Sequence, residues 1–175
     1  MRGGASLRYA PLVVPLLLLL QLAAACTGAR SAYAPATPPA EAAARSLVDQ
    51  AVQFGLARDF DRLCAMGTSQ CKFILQGAGT DTVPTQPPLI VYVTTVPNVE
   101  KTPGTWNPGG VLFYLCGLDG KGQPYHSQML VFENPEGTGL TAMEPVFWGS
   151  LTIDGPPVAE PRPTDTDGVW QGCPN

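Results

Sequence analysis

The sequence VLFYLCGLDGKGQPYHSQMLVFE (111–133) decides the fold, because its pattern is typical of two strands joined by a tight turn. Both arms, 111–118 and 124–133, are rich in β-branched, aromatic and other large apolar residues. The four residues between them, Asp119-Gly120-Lys121-Gly122, are a strong hairpin signal. The stretch therefore predicts a pair of antiparallel strands.

A turn at Gly120-Lys121 would determine which residues face each other across this hairpin. On one face it pairs Cys116 with Tyr125, Tyr114 with Ser127 and Leu112 with Met129; on the other it pairs Leu115 with His126, Phe113 with Gln128 and Val111 with Leu130. Both faces are largely apolar, so both need cover. We expect helices over the face with His126 and the C-terminal tail over the face with Cys116. A one-residue bulge would exchange the two faces.

The flanking sequence predicts two further strands. LIVYVTTV (89–96) is a β-branched run, and the Pro-containing segment 97–108 that follows is predicted to be a loop. After a turn at 134–137, LTAMEPVFWGSLTI (140–153) is predicted to be a fourth strand. These segments make an antiparallel meander of about four strands.

Helical signals precede the strands. Apolar residues between Ala40 and Arg58 recur every three or four positions, which predicts an amphipathic helix with one buried stripe. Asp59 is positioned to cap a second, shorter helix, and 71–76 is predicted to be a further turn or short helix. Helices followed by an antiparallel meander predict an α+β fold, with N-terminal helices packed on one face of a curved sheet.

This element order over 40–153, with the phrase LARDFDRLCAM (56–66), resembles the cone-shaped nuclear transport factor 2-like fold. A cystatin-like fold shares the helix-on-sheet layout and is the alternative. Cones of the first kind often enclose a pocket, which some members use for catalysis and many only for binding. The resemblance implies a pocket between the helices and the sheet.

At the other end of the sequence, LLLLLQLAAAC (16–26) ends an apolar run with small residues and a cysteine. The run 11–22 follows Arg2 and Arg8, and as a helix it would rise about 18 Å, short of the roughly 30 Å hydrocarbon core. A positive start, a short apolar run and small residues predict an export signal over 1–25. A short transmembrane anchor is the alternative.

The residues Leu22-Ala23-Ala24-Ala25-Cys26 resemble the lipobox of bacterial lipoproteins. The usual pattern has Leu three positions before the cysteine, whereas here that position is Ala23. The resemblance implies that Cys26 becomes the first mature residue and carries a diacylglyceryl group and palmitate-type acyl chains. Two or more chains hold a protein stably on a bilayer. We therefore expect attachment to the outer face of the cell membrane, with 26–39 as a flexible tether.

The remaining cysteines are Cys64, Cys71, Cys116 and Cys173. An even number in an oxidising compartment predicts two disulfides, for which three pairings exist. Cys64 and Cys71 are close enough for a local bond, which leaves Cys116 to pin the Pro-rich tail 154–175 through Cys173. A zinc site built with His126, the single histidine, is the alternative, although no C-x-x-C or H-x3-5-H spacing is present.

Charge and composition limit the partners. Without Arg2 and Arg8, eight basic residues face fourteen acidic ones, so the exported chain is acidic and has no basic cluster. This argues against nucleic acid as a partner and against attachment to anionic lipid by charge. The chain lacks a phosphate-binding loop or metal-ligand spacing, so we predict no cofactor and no metal. The high Ala, Gly and Pro content resembles lipoproteins of GC-rich actinobacteria.

Candidate site residues are few. A pocket under the helices would be lined by Phe113, His126, Gln128 and Glu144, where His126 and a carboxylate are the acid–base pair that an isomerase or cyclase would need. No catalytic residue is assigned, since a lone strand histidine is more often structural. The prediction is a non-enzymatic binding or accessory module of the cell envelope, with an envelope protein or a small apolar ligand as partner. A small pocket enzyme using His126 is the alternative.

Overall fold

The structure is a computed structural model and describes residues 38–102, 105–134, 137–153 and 172–174. These residues belong to one compact unit of the chain, Pro35–Asn175. The predicted export signal 1–25, Cys26 with most of the predicted tether, and most of the predicted tail 154–175 lie outside the described residues.

Three helices open the described part of the chain: α1 (Glu41–Leu56), α2 (Phe60–Ala65) and α3 (Cys71–Ala78). α1 buries one stripe of small and β-branched residues, Ala44, Val48, Ala51, Val52 and Gly55, as the spacing predicted. Asp59 caps α2, because its carboxylate accepts the N–H of Arg62 at 3.3 Å. Within the described residues, no helix is long and apolar enough to cross a membrane.

Four of the strands in the described residues form one antiparallel sheet. The strands are β1 (Leu89–Val96), β2 (Val99–Thr102), β3 (Thr105–Asn107), β4 (Gly110–Leu118), β5 (Pro124–Glu133) and β6 (Leu140–Met143). The four-stranded sheet has the order β1-β4-β5-β6, and α1 packs against β5 and β6. This arrangement confirms the predicted α+β class.

The segment 97–108, predicted to be a loop, instead holds a second, two-stranded sheet. β2 and β3 pair antiparallel, with Val99 opposite Asn107. Pro97 lies before β2 and Pro108 lies after β3, so neither interrupts a ladder hydrogen bond.

The predicted register of the central hairpin is wrong by one residue. β4 and β5 pair Cys116 with His126, Leu115 with Ser127 and Tyr114 with Gln128, and the last pair before the turn is Leu118 with Pro124. Five residues, 119–123, therefore form the turn, and the N–H of Asp119 donates to the carbonyl of Gln123 at 2.8 Å. The Asp119 carboxylate accepts the N–H groups of Lys121 and Gln123, both at 2.8 Å. This side chain stabilises the longer turn, and the shift moves every β5 side chain to the opposite face.

Each face of the sheet has its own apolar core. The helix side contains Val111, Phe113, Leu115, Tyr125, Met129 and Val131 together with α1. The other side, which we call the tail face, contains Val96, Leu112, Tyr114, Cys116, Leu130 and Phe132, packed by Met143, Ile153 and Cys173. Cys173 therefore joins the predicted face at Cys116, but Met129 lies on the helix side.

The last predicted strand, 140–153, ends early. β6 stops at Met143 because Glu144 adopts a left-handed backbone with φ 61° and Pro145 has no N–H for the ladder. Two successive turns follow, in which Phe147 donates to Pro145 and Gly149 donates to Val146, both at 3.0 Å. Residues 145–148 are buried. This segment inserts into the core instead of extending the sheet.

The loop after α3 is fastened to the β4–β5 turn. The N–H of Gly120 donates to the carbonyl of Thr82 at 2.8 Å. A Cβ atom at Gly120 would lie 2.6 Å from the carbonyl oxygen of Val83, so only glycine fits there. At the surface, Lys121 Nζ and Asp81 Oδ2 form an ion pair at 2.5 Å. These contacts place residues 81–83 beside the turn.

Candidate functional site

The predicted pocket residues do not meet under the helices. Phe113 is fully buried on the helix side. His126 pairs with Cys116, and Gln128 pairs with Tyr114, which places both on the tail face. The prediction that His126 points toward the helix is therefore wrong, as a consequence of the one-residue register shift. The enzyme alternative loses the geometry on which it depended.

Gln128 holds the chain after the buried turn. Its side-chain oxygen accepts the N–H of Ile153 at 2.8 Å, and its backbone N–H donates to the carbonyl of Leu151 at 2.9 Å. The neighbouring Ser127 hydroxyl accepts the N–H of Leu151 at 3.3 Å. Gln128 thus binds residues 151–153 to β5, which is a structural role.

Glu144 lies just beyond the end of β6, in a left-handed backbone conformation. Its Oε2 atom is buried and has no hydrogen-bond partner. Burial raises the pKa of this carboxyl, because the charged form loses hydration.

Aromatic rings fill the space between the helices and the sheet where a pocket was expected. Phe147 and Trp148 meet edge to face with ring centroids 5.0 Å apart, and Phe147 also lies 6.3 Å from Tyr125. The indole N–H of Trp148 donates to the carbonyl of Gly79 at 3.3 Å. The insertion of 145–148 thus fills this part of the core.

All four cysteines in the described residues form disulfides. Cys64 bonds to Cys71 with Cα atoms 5.3 Å apart, and Cys116 bonds to Cys173 with Cα atoms 5.8 Å apart. Both predicted pairings are confirmed, and these thiols are not zinc ligands. In the part of the chain that the structure describes, no group of three His, Cys, Asp or Glu side chains could hold a metal ion.

An open groove with a volume of about 640 Å³ lies at the end of the sheet beside the β4–β5 turn. We call it the sheet-end groove. Four segments line it: Thr85 to Pro87 with Leu89 at the start of β1, Cys116 to Leu118 at the end of β4, the turn residues Asp119, Gly120 and Gly122, and Gly172 to Pro174. The disulfide to Cys116 attaches the last segment to the sheet.

The groove has a mixed polar and apolar lining, and its apolar part includes two solvent-exposed leucines. Leu89 is 52% exposed and Leu118 is 46% exposed, which makes them two of the three large hydrophobic residues that the described chain leaves exposed. Asp119 is the one charged side chain among the described lining residues. The sequence analysis missed this site because its segments are far apart in the chain. The only local signal was a leucine at each of two strand ends next to Gly and Pro.

No known protein family, curated protein or solved structure matches the chain.

Proposed function

We propose that this protein is an exported lipoprotein, held at the outer face of the cell membrane by acyl chains on Cys26, and that its domain acts as a binding or accessory module of the cell envelope. The observation that carries the proposal is the use of the cysteines. Two disulfides consume Cys64, Cys71, Cys116 and Cys173, and Cys26 is the one cysteine left over.

Stable disulfides support an oxidising compartment, because the cytosol keeps thiols reduced. Export fits the N-terminal pattern, in which a positive start and a short apolar run precede Leu22-Ala23-Ala24-Ala25-Cys26. A leftover cysteine in an exported protein needs a chemical use. Acylation of Cys26 supplies that use and the attachment together.

The charge of the chain supports a covalent anchor over an electrostatic one. The exported chain carries more acidic than basic residues, so an anionic bilayer repels it. Acyl chains supply affinity through buried CH2 groups at about 0.8 kcal/mol each, whatever the charge of the domain. The domain is then held near the membrane and free to bind an envelope protein or a small apolar ligand.

The layout of α1 on an antiparallel sheet supports the resemblance to nuclear transport factor 2-like or cystatin-like folds as an interpretation of the domain. In this chain, the expected place of a pocket holds aromatic rings. The sheet-end groove is the better candidate for ligand binding.

The test is intact-mass analysis of the protein isolated from its native membrane. We expect a chain that starts at Cys26 and carries the added mass of a diacylglyceryl group and acyl chains. A Cys26→Ala variant should lose this mass and the ordinary signal cut before residue 26. The matched control is the double variant Cys64→Ala/Cys71→Ala, which removes two other cysteines and should remain acylated. A mature chain without lipid, or one that starts elsewhere, contradicts the proposal.

A further inference from the structure

We propose that the sheet-end groove is a binding site for an uncharged, largely apolar small molecule. This inference deepens the proposed binding function by naming its site and its ligand class. It does not require acylation of Cys26.

The apolar part of the site is formed by two leucines on the tail face of the sheet. Leu89 pairs with Cys116 across β1 and β4, and Leu118 follows Cys116 by two residues on the same strand. Both side chains therefore lie on the face that carries the disulfide. Each is about half exposed, although the neighbouring Cys116 is fully buried. A ligand in the groove would remove this apolar surface from water.

The size and shape of the groove favour a small molecule as the occupant. Its volume of about 640 Å³ lies in the range of about 300–1,000 Å³ that is typical of small-molecule sites. The lining comes from four separate segments of the chain. One segment, Gly172 to Pro174, is attached covalently, and the turn segment is attached through Gly120 to Thr82. These attachments form the site before a ligand arrives.

The charges around the groove exclude anions from the ligand class. Among the described lining residues no basic side chain is present, and the one charged group is the Asp119 carboxylate. One oxygen of this carboxylate already accepts two backbone N–H groups. Lys121 lies next to the turn, but its ammonium group is paired with Asp81. Among the described lining residues, an anionic ligand would meet a carboxylate and no counterion. The hydroxyl of Thr85 and the amide of Gln86 remain for a neutral polar end.

The test uses the mature chain 26–175 carrying Cys26→Ala, so that neither an acyl chain nor the apolar run 11–22 competes, and a matched pair of fluorescent probes. N-phenyl-1-naphthylamine is neutral, and 8-anilino-1-naphthalenesulfonate has the same aromatic scaffold plus a sulfonate. We expect saturable binding of the neutral probe and at least about tenfold weaker binding of the sulfonate, since its charge has no partner in the groove.

Substitutions then locate the binding. Leu118→Lys should weaken binding of the neutral probe by about tenfold or more and should weaken the sulfonate less, because the new ammonium offers a counterion. Phe73→Lys is the matched control, since Phe73 is 79% exposed and does not line the groove; it should leave both affinities unchanged. Any probe that binds elsewhere on the chain contributes equally in every variant, so the difference between the variants reports binding in the groove. Far-UV circular dichroism and non-reducing peptide mapping establish that each variant is folded. If Leu118→Lys is not folded, Leu89→Ala is used in its place.

Three results overturn the inference: no saturable binding of the neutral probe, equal affinity for the sulfonate, or equal loss of binding in Phe73→Lys and Leu118→Lys. A groove that docks another protein would give the first of these results. Because the anchor is absent from these experiments, probe binding without acylation of the native protein would leave this site standing and remove the anchor. Acylation of the native protein without probe binding would leave the anchor standing and remove this site.

Discussion

At the scale of single residues, the inserted segment 145–148 packs closely against α1 at Gly55. A Cβ atom at this position would lie 2.8 Å from Cε1 of Phe147 and 2.9 Å from Cζ3 of Trp148. Both rings are buried. The last turn of α1 can therefore pack on these rings only if residue 55 has no side chain.

We predict that Gly55→Ala destabilises the protein by about 1–3 kcal/mol, because the added methyl group overpacks a filled core. Gly77→Ala is the matched control: Gly77 lies in α3, and nothing is within 4 Å of its added Cβ. That variant should gain about 0.5–1 kcal/mol from helix propensity. Denaturant unfolding with the disulfides intact measures both, and a stabilised Gly55→Ala would contradict the described packing.

The carboxyl of Glu144 makes stability depend on pH. Since burial raises its folded pKa above the ordinary value of 4.5, the native state holds this proton to higher pH than the unfolded chain does. The group therefore costs no stability below pH 4.5, and stability falls as the pH rises from there through the folded pKa.

We predict that Glu144→Gln removes this dependence. Relative to the wild type, the variant should gain stability as the pH rises above 4.5, because the amide loses no charge hydration on burial. Glu144→Asp keeps a carboxyl and should keep the pH dependence. Thermal unfolding at a series of pH values from below 4.5 upward measures the effect, and a wild-type-like pH profile in Glu144→Gln would show that the group does not titrate as described.

At the scale of elements, the two disulfides act over different lengths of chain. Cys64–Cys71 spans seven positions and joins α2 to the start of α3. Cys116–Cys173 spans 57 positions and joins β4 to the C-terminal segment. Because a longer closed loop restricts the unfolded chain more, the second bond should contribute more stability.

We predict that Cys116→Ala/Cys173→Ala loses about 4 kcal/mol and Cys64→Ala/Cys71→Ala about 2–3 kcal/mol, as loop-closure entropy indicates. The cavity left at the fully buried Cys116 adds to the first value. Chemical unfolding of the two double variants shows which one loses more unfolding free energy. A larger loss from the local bond would mean that the helical corner contributes more to stability than the attachment of the C-terminal segment.

At the scale of the whole molecule, the proposed attachment depends on lipid and not on charge. We predict that high salt does not release the protein from its membrane, because screening weakens only electrostatic binding. Cys26→Ala should lose the acyl chains and the ordinary signal cut, and so should run as the larger, unprocessed chain. Immunoblotting of washed membrane fractions measures both. Release of the wild-type protein by salt would indicate a protein partner held by charge in place of the anchor.

Much of the fold could be predicted, because strands such as 89–96 and 124–133 and the cap at Asp59 follow from residues adjacent in sequence. The register could not, because the sequence of the turn is compatible with two lengths. The Asp119 carboxylate selects the five-residue turn by accepting two N–H groups, and this reverses the placement of His126. Because His126 lies on the other face, the predicted pocket residues do not converge. The apolar run around Phe147 has the composition of a strand, but Glu144 and Pro145 end β6 before it.

The sequence by itself determined the α+β class, the order of the elements and a cysteine count that allows two disulfides with Cys26 left over. Periodicity, turn residues and counting are enough for these properties, because each depends on neighbours along the chain. Only the tertiary structure decided the side of the sheet on which His126 lies, the burial of 145–148 and the sheet-end groove. The groove joins Leu89, Leu118 and Cys173, which become neighbours only through strand pairing and a disulfide between distant residues.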